Sequence, residues 1–473
     1  MITALLRCAI AASTDLKVEE AYYWCYSKHL AASYYDHPPM VAWLIALFSP
    51  LGVNSLAVRL PAILLFAGSG WLIFDTLRRL WDEKVARTGL LLHTLLPAFH
   101  WYSMVLLPDA PLMFFWCLGM YATTRLLQED RPEWWWVIGL ATGLGMDSKY
   151  PAVFIPVAAF VACWSLRKPR SLWLGPSMWA GALLAITLFS PVVYWNFTHD
   201  FASFRFQGSE RFQEASGGGE KMASLIYPAV MLGPLVYLAG PFVLYGAGRR
   251  RHPSAVIGLS WTLPFLGLML WVSSQRLVNI NWPLPGYLGF LLLLAPWVTV
   301  SNWRWALVYP SALFSLLPFY ALVFPMAAAN RGDDVTQWRS MTVEALRMQA
   351  AMPRPNETFF LGYGYQCASE MAFAGVPLES VVSVNALGMK ALAYDYWTPA
   401  YKFEGWDAVV VGYSRVKANG EWHPQYEIDI NRLRRCFEKV EGPWELVEMR
   451  AGQPLRRYSY WKAFGYKRVV PSS

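Results

Sequence analysis

The stretch VEEAYYWCYSKHLAASYYDHPPM, residues 18–40, puts the paired carboxylates Glu19 and Glu20, a run of aromatic rings and the sequence Asp36-His37-Pro38-Pro39 into one segment. Four other short stretches carry the same kind of side chain. LLPDAP sets Asp109 in a two-residue connection, and GMDSKYPAVF sets Asp147, Lys149 and Tyr150 in another. NFTHDFASFRFQGSERF supplies Asn196, His199, Asp200, Arg205, Gln207 and Arg211, and SSQRLVNINWPLPGY supplies Gln275, Arg276, Asn279 and Asn281. A carboxylate such as Glu19, Glu20, Asp36 or Asp109 can take the proton from an incoming hydroxyl or amine. Lys149, Arg276, Arg205 or His37 can hold a phosphate in place of water. Tyr150 accompanies that phosphate group, while Tyr23, Trp24, Asn196, Arg205 and Asn281 are candidates for substrate contacts. No DxD, HExxH, Walker or Rossmann motif and no His/Cys cluster is present. No cofactor is therefore expected, though the acids remain compatible with a divalent cation.

If residues 18–30 are helical, Glu20 shares a face with Tyr23, Trp24 and Ser27. Glu19 then points about 100° away, toward Tyr22, Tyr23 and Tyr26. The two acids have different environments, and the aromatic content suits an amphipathic helix in a membrane interface.

The elements that position these stretches follow from composition. The chain has 473 residues, 56% hydrophobic and 15% charged, against about 25% charged in soluble domains. Its 25 tryptophans suit rings at membrane–water interfaces. The net charge of +8 lies in short clusters between apolar runs, which suits membrane topology and excludes the continuous basic face of a nucleic-acid binder. Apolar runs able to span lie at 56–77, 89–107, 110–127, 134–146, 152–166, 172–195, 223–245, 255–272, 287–300 and 305–324. MITALLRCAIAAS at the start is only 13 residues long, against about 20 for a span, and reads as a truncated first span. The expectation is about eleven transmembrane helices, with 40–51 as an interfacial or re-entrant helix.

Arg78, Arg79, Lys84 and Arg87, then Arg125 and Arg131, Arg167, Lys168 and Arg170, Arg249 to Arg251, and Arg304 mark alternate loops as cytoplasmic. The N-terminus is then cytoplasmic. The loops at about 15–39, 108–109, 147–150, 196–222 and 273–285, and everything after about 325, lie outside. All five polar stretches fall on that side. Two domains follow: a membrane domain over 1–325 and an extracytoplasmic domain over 326–473.

In the latter, FFLGYGYQCASEMAFAG reads as strand, turn and helix, and AVVVGYS (408–414) as a strand. EIDINRLRRCFEKVEG reads as a helix closed by Gly442, and WELVEMRA as a strand. This is a small α/β domain. ASGGGEK (215–221) is a flexible stretch in an outer loop. The six cysteines have no metal-ligand spacing, and pairing of Cys367 with Cys436 stays open.

The segments EEAYYWCYSKHLAASYYDHPPMVAWLIALF, LLPDAPLMFFWCLGMYATTRLL, GLATGLGMDSKYPAVFI, PVVYWNFTHDFASFRFQ and NINWPLPGYL occur in this order. Together with YGYQCASEMAFAG and YDYW (394–397), they resemble the bacterial glycosyltransferase family related to dolichyl-phosphate-mannose–protein mannosyltransferases (family 39/83 type). That family includes lipid A aminoarabinose transferases. The resemblance implies a GT-C fold and an inverting transfer of sugar from a polyprenyl (undecaprenyl) phosphate donor. The acceptor would be an envelope lipid or glycan such as lipid A or lipopolysaccharide, on the outer face of the bacterial inner membrane. It implies that Glu19 stands at the position of the base, where relatives carry Asp, with Glu20 as the second acid. Asp36, His37 and Pro38 correspond to an acid, a phosphate-contacting basic residue and a proline. Asp109 corresponds to the second-loop acid, and Lys149 and Tyr150 to the SK-Y element. Two other classes fit parts of the pattern: a transporter or flippase of a lipid-linked substrate, and an outer partner-binding domain on a membrane anchor. A protein O-mannosyltransferase is the alternative within the enzyme class.

Overall fold

The computed structural model describes residues 2–210, 226–250, 252–275, 277–316, 336–416, 421–423, 428–450 and 452–468. The chain divides into two compact units. The first comprises Met1–Cys8, Ala32–Leu44 and Arg59–Leu317, and the second Ala9–Ala31, Ile45–Val58 and Pro318–Ser473. The stretch at 15–39 is thus shared, with residues up to Ala31 in the second unit and those from Ala32 in the first.

In chain order the helices are α1 (Ile2–Ser13), α2 (Val18–Lys28), α3 (Met40–Phe48), α4 (Ser55–Leu80), α5 (Glu83–Leu95), α6 (Asp109–Glu129), α7 (Trp134–Met146), α8 (Phe154–Ser165), α9 (Pro176–Thr198), α10 (Pro234–Arg250), α11 (Pro253–Gln275), α12 (Leu284–Thr299) and α13 (Trp305–Ser315). Each expected apolar run holds helix among the described residues, and the runs at 89–107, 172–195 and 223–245 are interrupted, the second briefly at Leu174-Gly175. The run at 89–107 was expected to span unbroken. Instead α5 starts on the Asp82 side chain, which accepts the Val85 N–H at 2.8 Å, and stops at Leu95. Pro97 forces Leu96 into an extended conformation (φ −72°, ψ 137°). The run at 223–245 is likewise broken. Ile226–Leu232 and Pro234–Arg249 meet at 99°, because Gly233 takes φ +85° and Pro234 has no N–H to continue the ladder. Among the described residues, Ser55–Leu80, Arg170–Thr198 and Pro253–Gln275 are long and apolar enough to cross a membrane alone, and the bent pair adds a fourth if its two helices are counted as one span.

The core of the first unit is apolar and continuous across α4 to α12, around Trp116, Trp261 and Phe265. One close approach seats the middle of α7 against α9. A Cβ on Gly139 would lie 2.1 Å from the Gly181 carbonyl oxygen of α9. The two backbones touch there, and only glycine allows it.

The second unit contains α2 and continues with α14 (Trp338–Ala350), β1 (Thr358–Gly362), α15 (Tyr365–Phe373), β2 (Val381–Val382), β3 (Asp407–Arg415), α16 (Ile430–Cys436), β4 (Phe437–Arg450) and β5 (Gln453–Tyr466). The sheet order is β2-β1-β3-β5-β4. β1 runs parallel to β2 and β3, while β5 is antiparallel to β3 and β4. The expected helix through Gly442 is shorter than its pattern. It ends at Cys436, and Phe437 onward pairs with β5, the register shifting between Glu441 and Trp444. Gly442 takes φ +119° inside that strand, so it serves a bulge and not a helix end. Cys367 and Cys436 are both buried and unpaired.

Helix α2 packs on α15 within this unit. It is not an interfacial amphipathic helix, because nearly every face is covered. Tyr22 OH accepts the Ala393 N–H at 3.0 Å, and Tyr394 OH donates to Cys25 Sγ at 3.7 Å. Burial pushes the Cys25 thiol up to about 12, so it is an inert packing group.

Candidate active site

The first unit brings three of the expected residues into one hydrogen-bonded group. Lys149 Nζ lies 2.8 Å from Asp109 Oδ1, and Asn281 Nδ2 donates to Asp109 Oδ2 at 2.8 Å. Asp109 opens α6, where a carboxylate is favoured by the helix dipole, and is only 3% exposed. Both of its oxygens are therefore committed. The Lys149 ammonium, whose side chain is 15% exposed, makes one bond among the described residues. Two of its three N–H groups remain to hold an anion.

Local backbone explains the placement of Lys149. Asp147 caps α7 by donating its N–H to Gly143 O, Lys149 N–H donates to Gly145 O at 2.8 Å, and Lys149 is extended before the Tyr150-Pro151 turn. The 36–40 loop is tied to the same corner. Met40 N–H donates to Asp147 O at 2.9 Å, Tyr34 N–H to His37 O at 3.2 Å, and Gln207 Nε2 to Asp36 O at 2.5 Å. Asp36 is buried and His37 half-buried.

Tyr150 OH and Ser203 Oγ are 2.9 Å apart, and burial raises the phenol to about 12. Asn196 is a brace. Its Oδ1 accepts the Phe204 N–H at 3.0 Å and its Nδ2 donates to Val192 O at 2.9 Å, which shapes the start of the 199–210 loop. Arg205 lies exposed on that loop. Arg276, Arg211 and the glycine stretch at 215–221 lie outside the described residues.

Asp147 is given no role by the sequence alone, yet its carboxyl is strongly perturbed by burial. It is 1% exposed, its Oδ1 has no hydrogen-bond partner among the described residues, and burial lifts it to about 7. The sequence signal was an acid two residues before Lys149 in a tight connection. Burial itself leaves no mark in the sequence.

In the second unit the two glutamates have separate surroundings, as the helix geometry requires. Glu20 is fully buried and its Oε2 accepts the Lys17 N–H at 3.0 Å, which caps the first turn of α2. Glu19 is one-third exposed and pairs with Lys17 Nζ at 3.0 Å. Trp24 packs edge-on against Phe373 with the Lys28 ammonium 5.1 Å from its ring centroid, and Tyr23 packs on Tyr22 and Tyr26. Among the described residues no cluster of His, Cys, Asp and Glu could hold a metal ion.

The chain is similar to known proteins along most of its length. Residues 36–195 match the family model described as dolichyl-phosphate-mannose-protein mannosyltransferase. The lipid A galacturonosyltransferase RgtD of Rhizobium johnstonii is 25% identical over 347 residues, covering 72% of this chain and 73% of that protein. The lipopolysaccharide core galacturonosyltransferase RgtA of the same organism is 28% identical over 325 residues, covering 66% of this chain and 60% of that one. The crystal structure of apo ArnT from Cupriavidus metallidurans superposes with a TM-score of 0.64 at 14% identity, over 97% of this chain and 96% of that one. The same protein bound to undecaprenyl phosphate gives 0.60. The mostly helical fold with a C-terminal mixed sheet is thus ArnT-like along nearly the whole chain.

Proposed function

We propose that this chain is a multi-pass membrane glycosyltransferase of the dolichyl-phosphate-mannose-protein mannosyltransferase type, a reading supported by the family match over residues 36–195 and by the galacturonosyltransferase relatives. The donor is a sugar on undecaprenyl phosphate, and the acceptor is lipid A or a related envelope glycolipid. The two curated relatives, both galacturonosyltransferases, favour a uronic acid as the sugar. The reaction lies on the outer face, with the N-terminus cytoplasmic, about eleven spans, and the 326–473 domain periplasmic. The basic loops support this orientation.

The observation that carries the reading is the Lys149 ammonium, held by Asp109 and left with two free donors among the described residues. An acceptor oxygen attacks the anomeric carbon while the bond to the phosphate oxygen breaks. The phosphate leaves with that electron pair, and Lys149, with His37 and Arg276, meets the growing charge. The acceptor proton goes to Glu19, which has a solvent-accessible carboxylate, while Glu20 is committed to the backbone of α2. Asp36 and Asp109 orient their loops.

The test is purified protein with a radiolabelled undecaprenyl-phosphate sugar and lipid A in detergent. Label moving to lipid A with stoichiometric release of undecaprenyl phosphate is the expected result. Movement of intact donor across a vesicle membrane without transfer would overturn it in favour of a transporter.

A further inference from the structure

Arg7 of α1 belongs to the first unit and takes no part in the groups described above. It is 3% exposed. Its Nε donates to Ser103 Oγ at 2.6 Å, its Nη1 to Thr3 O at 3.1 Å, and its Nη2 lies 3.1 Å from His100 Nδ1. The guanidinium carbon stands 4.6 Å from the centre of the Phe66 ring. None of these partners carries a negative charge, and among the described residues no carboxylate pairs with it.

Burying an uncompensated cation costs several kcal/mol, and an apolar side chain of similar volume would fill the space without that cost. A charge kept inside a membrane domain points to a function. What methionine or leucine could not supply is the planar fork of donors, which holds several groups in fixed positions at once.

The groups it holds lead to the charged site. α5 stops at Leu95 and α6 opens at Asp109, and the connection between them contains only single turns, Pro97–His100 and Trp101–Ser103. Ser103 Oγ, held by Arg7, donates in turn to His100 O at 2.6 Å. Trp101 Nε1 donates to Ser315 O of α13 at 2.9 Å. Asp109 is six positions after Ser103. Between them Met104 and Leu106 are buried, Leu107 N–H donates to Val105 O at 3.2 Å, and Ala110 N–H donates to Leu107 O at 3.0 Å. Asp109 then holds Lys149 and Asn281. A shift at Ser103 reaches Asp109 with little free chain to absorb it.

We propose that Arg7 is a positioning residue for the Asp109–Lys149 pair, acting through the connection at 100–108 without touching substrate. Its bearing on donor binding rests on the reading of Lys149 as the ligand of the donor phosphate.

The test needs no turnover. The full chain in detergent is treated with a water-soluble acylating ester, and the rate at Lys149 is followed by mass spectrometry. Lys168, paired with Asp130 beyond the far end of α8, is the internal control. Arg7→Met should raise the Lys149 rate about fivefold, the worth of one hydrogen bond, and leave Lys168 unchanged. Ser103→Ala should act in the same direction, and it carries the test if Arg7→Met does not fold. In an Asp109→Asn background, where Lys149 is already released, either change should add nothing. An unchanged Lys149 rate would overturn the proposal. So would an equal rise at Lys168 or the same rise in the Asp109→Asn background, because Arg7 would then be a general packing residue. Binding of undecaprenyl phosphate is measured separately and should weaken by a similar factor in Arg7→Met. If the wild-type protein does not bind undecaprenyl phosphate, the donor reading fails, and the acylation rates still decide whether Arg7 positions the pair.

Discussion

Asp147→Asn tests the burial of the loop that carries Lys149. The Asp147 carboxyl ionises near 3.8 in an unfolded chain and is held up to about 7 in the fold by burial alone. Between those values the unfolded chain has released its proton while the folded protein keeps it, so stability falls as pH rises from about 4 to about 7. The negative end of α7, which Asp147 caps, acts in the same direction. The gap is roughly 3 pH units at ~1.4 kcal/mol each, an upper figure near 4 kcal/mol. Local relaxation leaves an expected loss of about 2–4 kcal/mol, present in full above pH 7 and absent below pH 4. Asparagine fills the same volume and does not ionise, and the link from Met40 to the residue-147 carbonyl is backbone and survives. Thermal unfolding in detergent across pH 4–8 should show the wild type losing several degrees relative to Asp147→Asn, with the two curves converging at the acid end. Infrared difference spectra should show a protonated carboxyl band at pH 6 that the variant lacks. Parallel unfolding curves across the whole range would refute the reasoning, because they would mean that Asp147 is already ionised in the fold.

Three further outcomes follow from the site geometry. Glu19→Gln should lower kcat by about 10²–10⁴-fold, the usual worth of a general base, while Glu20→Gln keeps its bond from Lys17 N–H and loses far less. The opposite ranking, in protein that elutes as a single folded species, would move the base to Glu20. Lys149→Ala should raise donor KM more than acceptor KM, and Lys149→Arg should restore part of the loss; equal loss for both substrates would make the Asp109 pair structural. Asn196→Ala removes the acceptor for the Phe204 N–H and should cost about 1 kcal/mol, read as faster proteolytic cutting after residue 199. An unchanged cutting rate would show that the 199–210 turn holds without it.

What the sequence revealed and what it hid divide along the range of the interactions involved. Lys149, Asp109 and Asn281 were each visible because each sits in a short connection between apolar runs, where a charge or amide has no other excuse. That Asp109 joins the other two was not visible. Its bond to Asn281 crosses 172 positions and exists only because the helices bring those connections together, with α7 seated on α9 through the Gly139–Gly181 contact. The burial of Asp147 has the same origin, since its cover includes the Met40 loop. Two errors were local and avoidable. Pro97 and the Gly233-Pro234 pair break apolar runs whatever their hydropathy, because a missing N–H and a restricted preceding residue act within one turn. The 437–450 segment was harder. Its upstream residues have helical spacing, but the ladder to β5 satisfies more backbone groups than another turn of α16 would. Glu20 shows the remaining kind of error. Its spacing from Lys17 is that of a helix cap, readable without any structure, and the expectation of chemistry in the pair obscured the simpler use of one of its members.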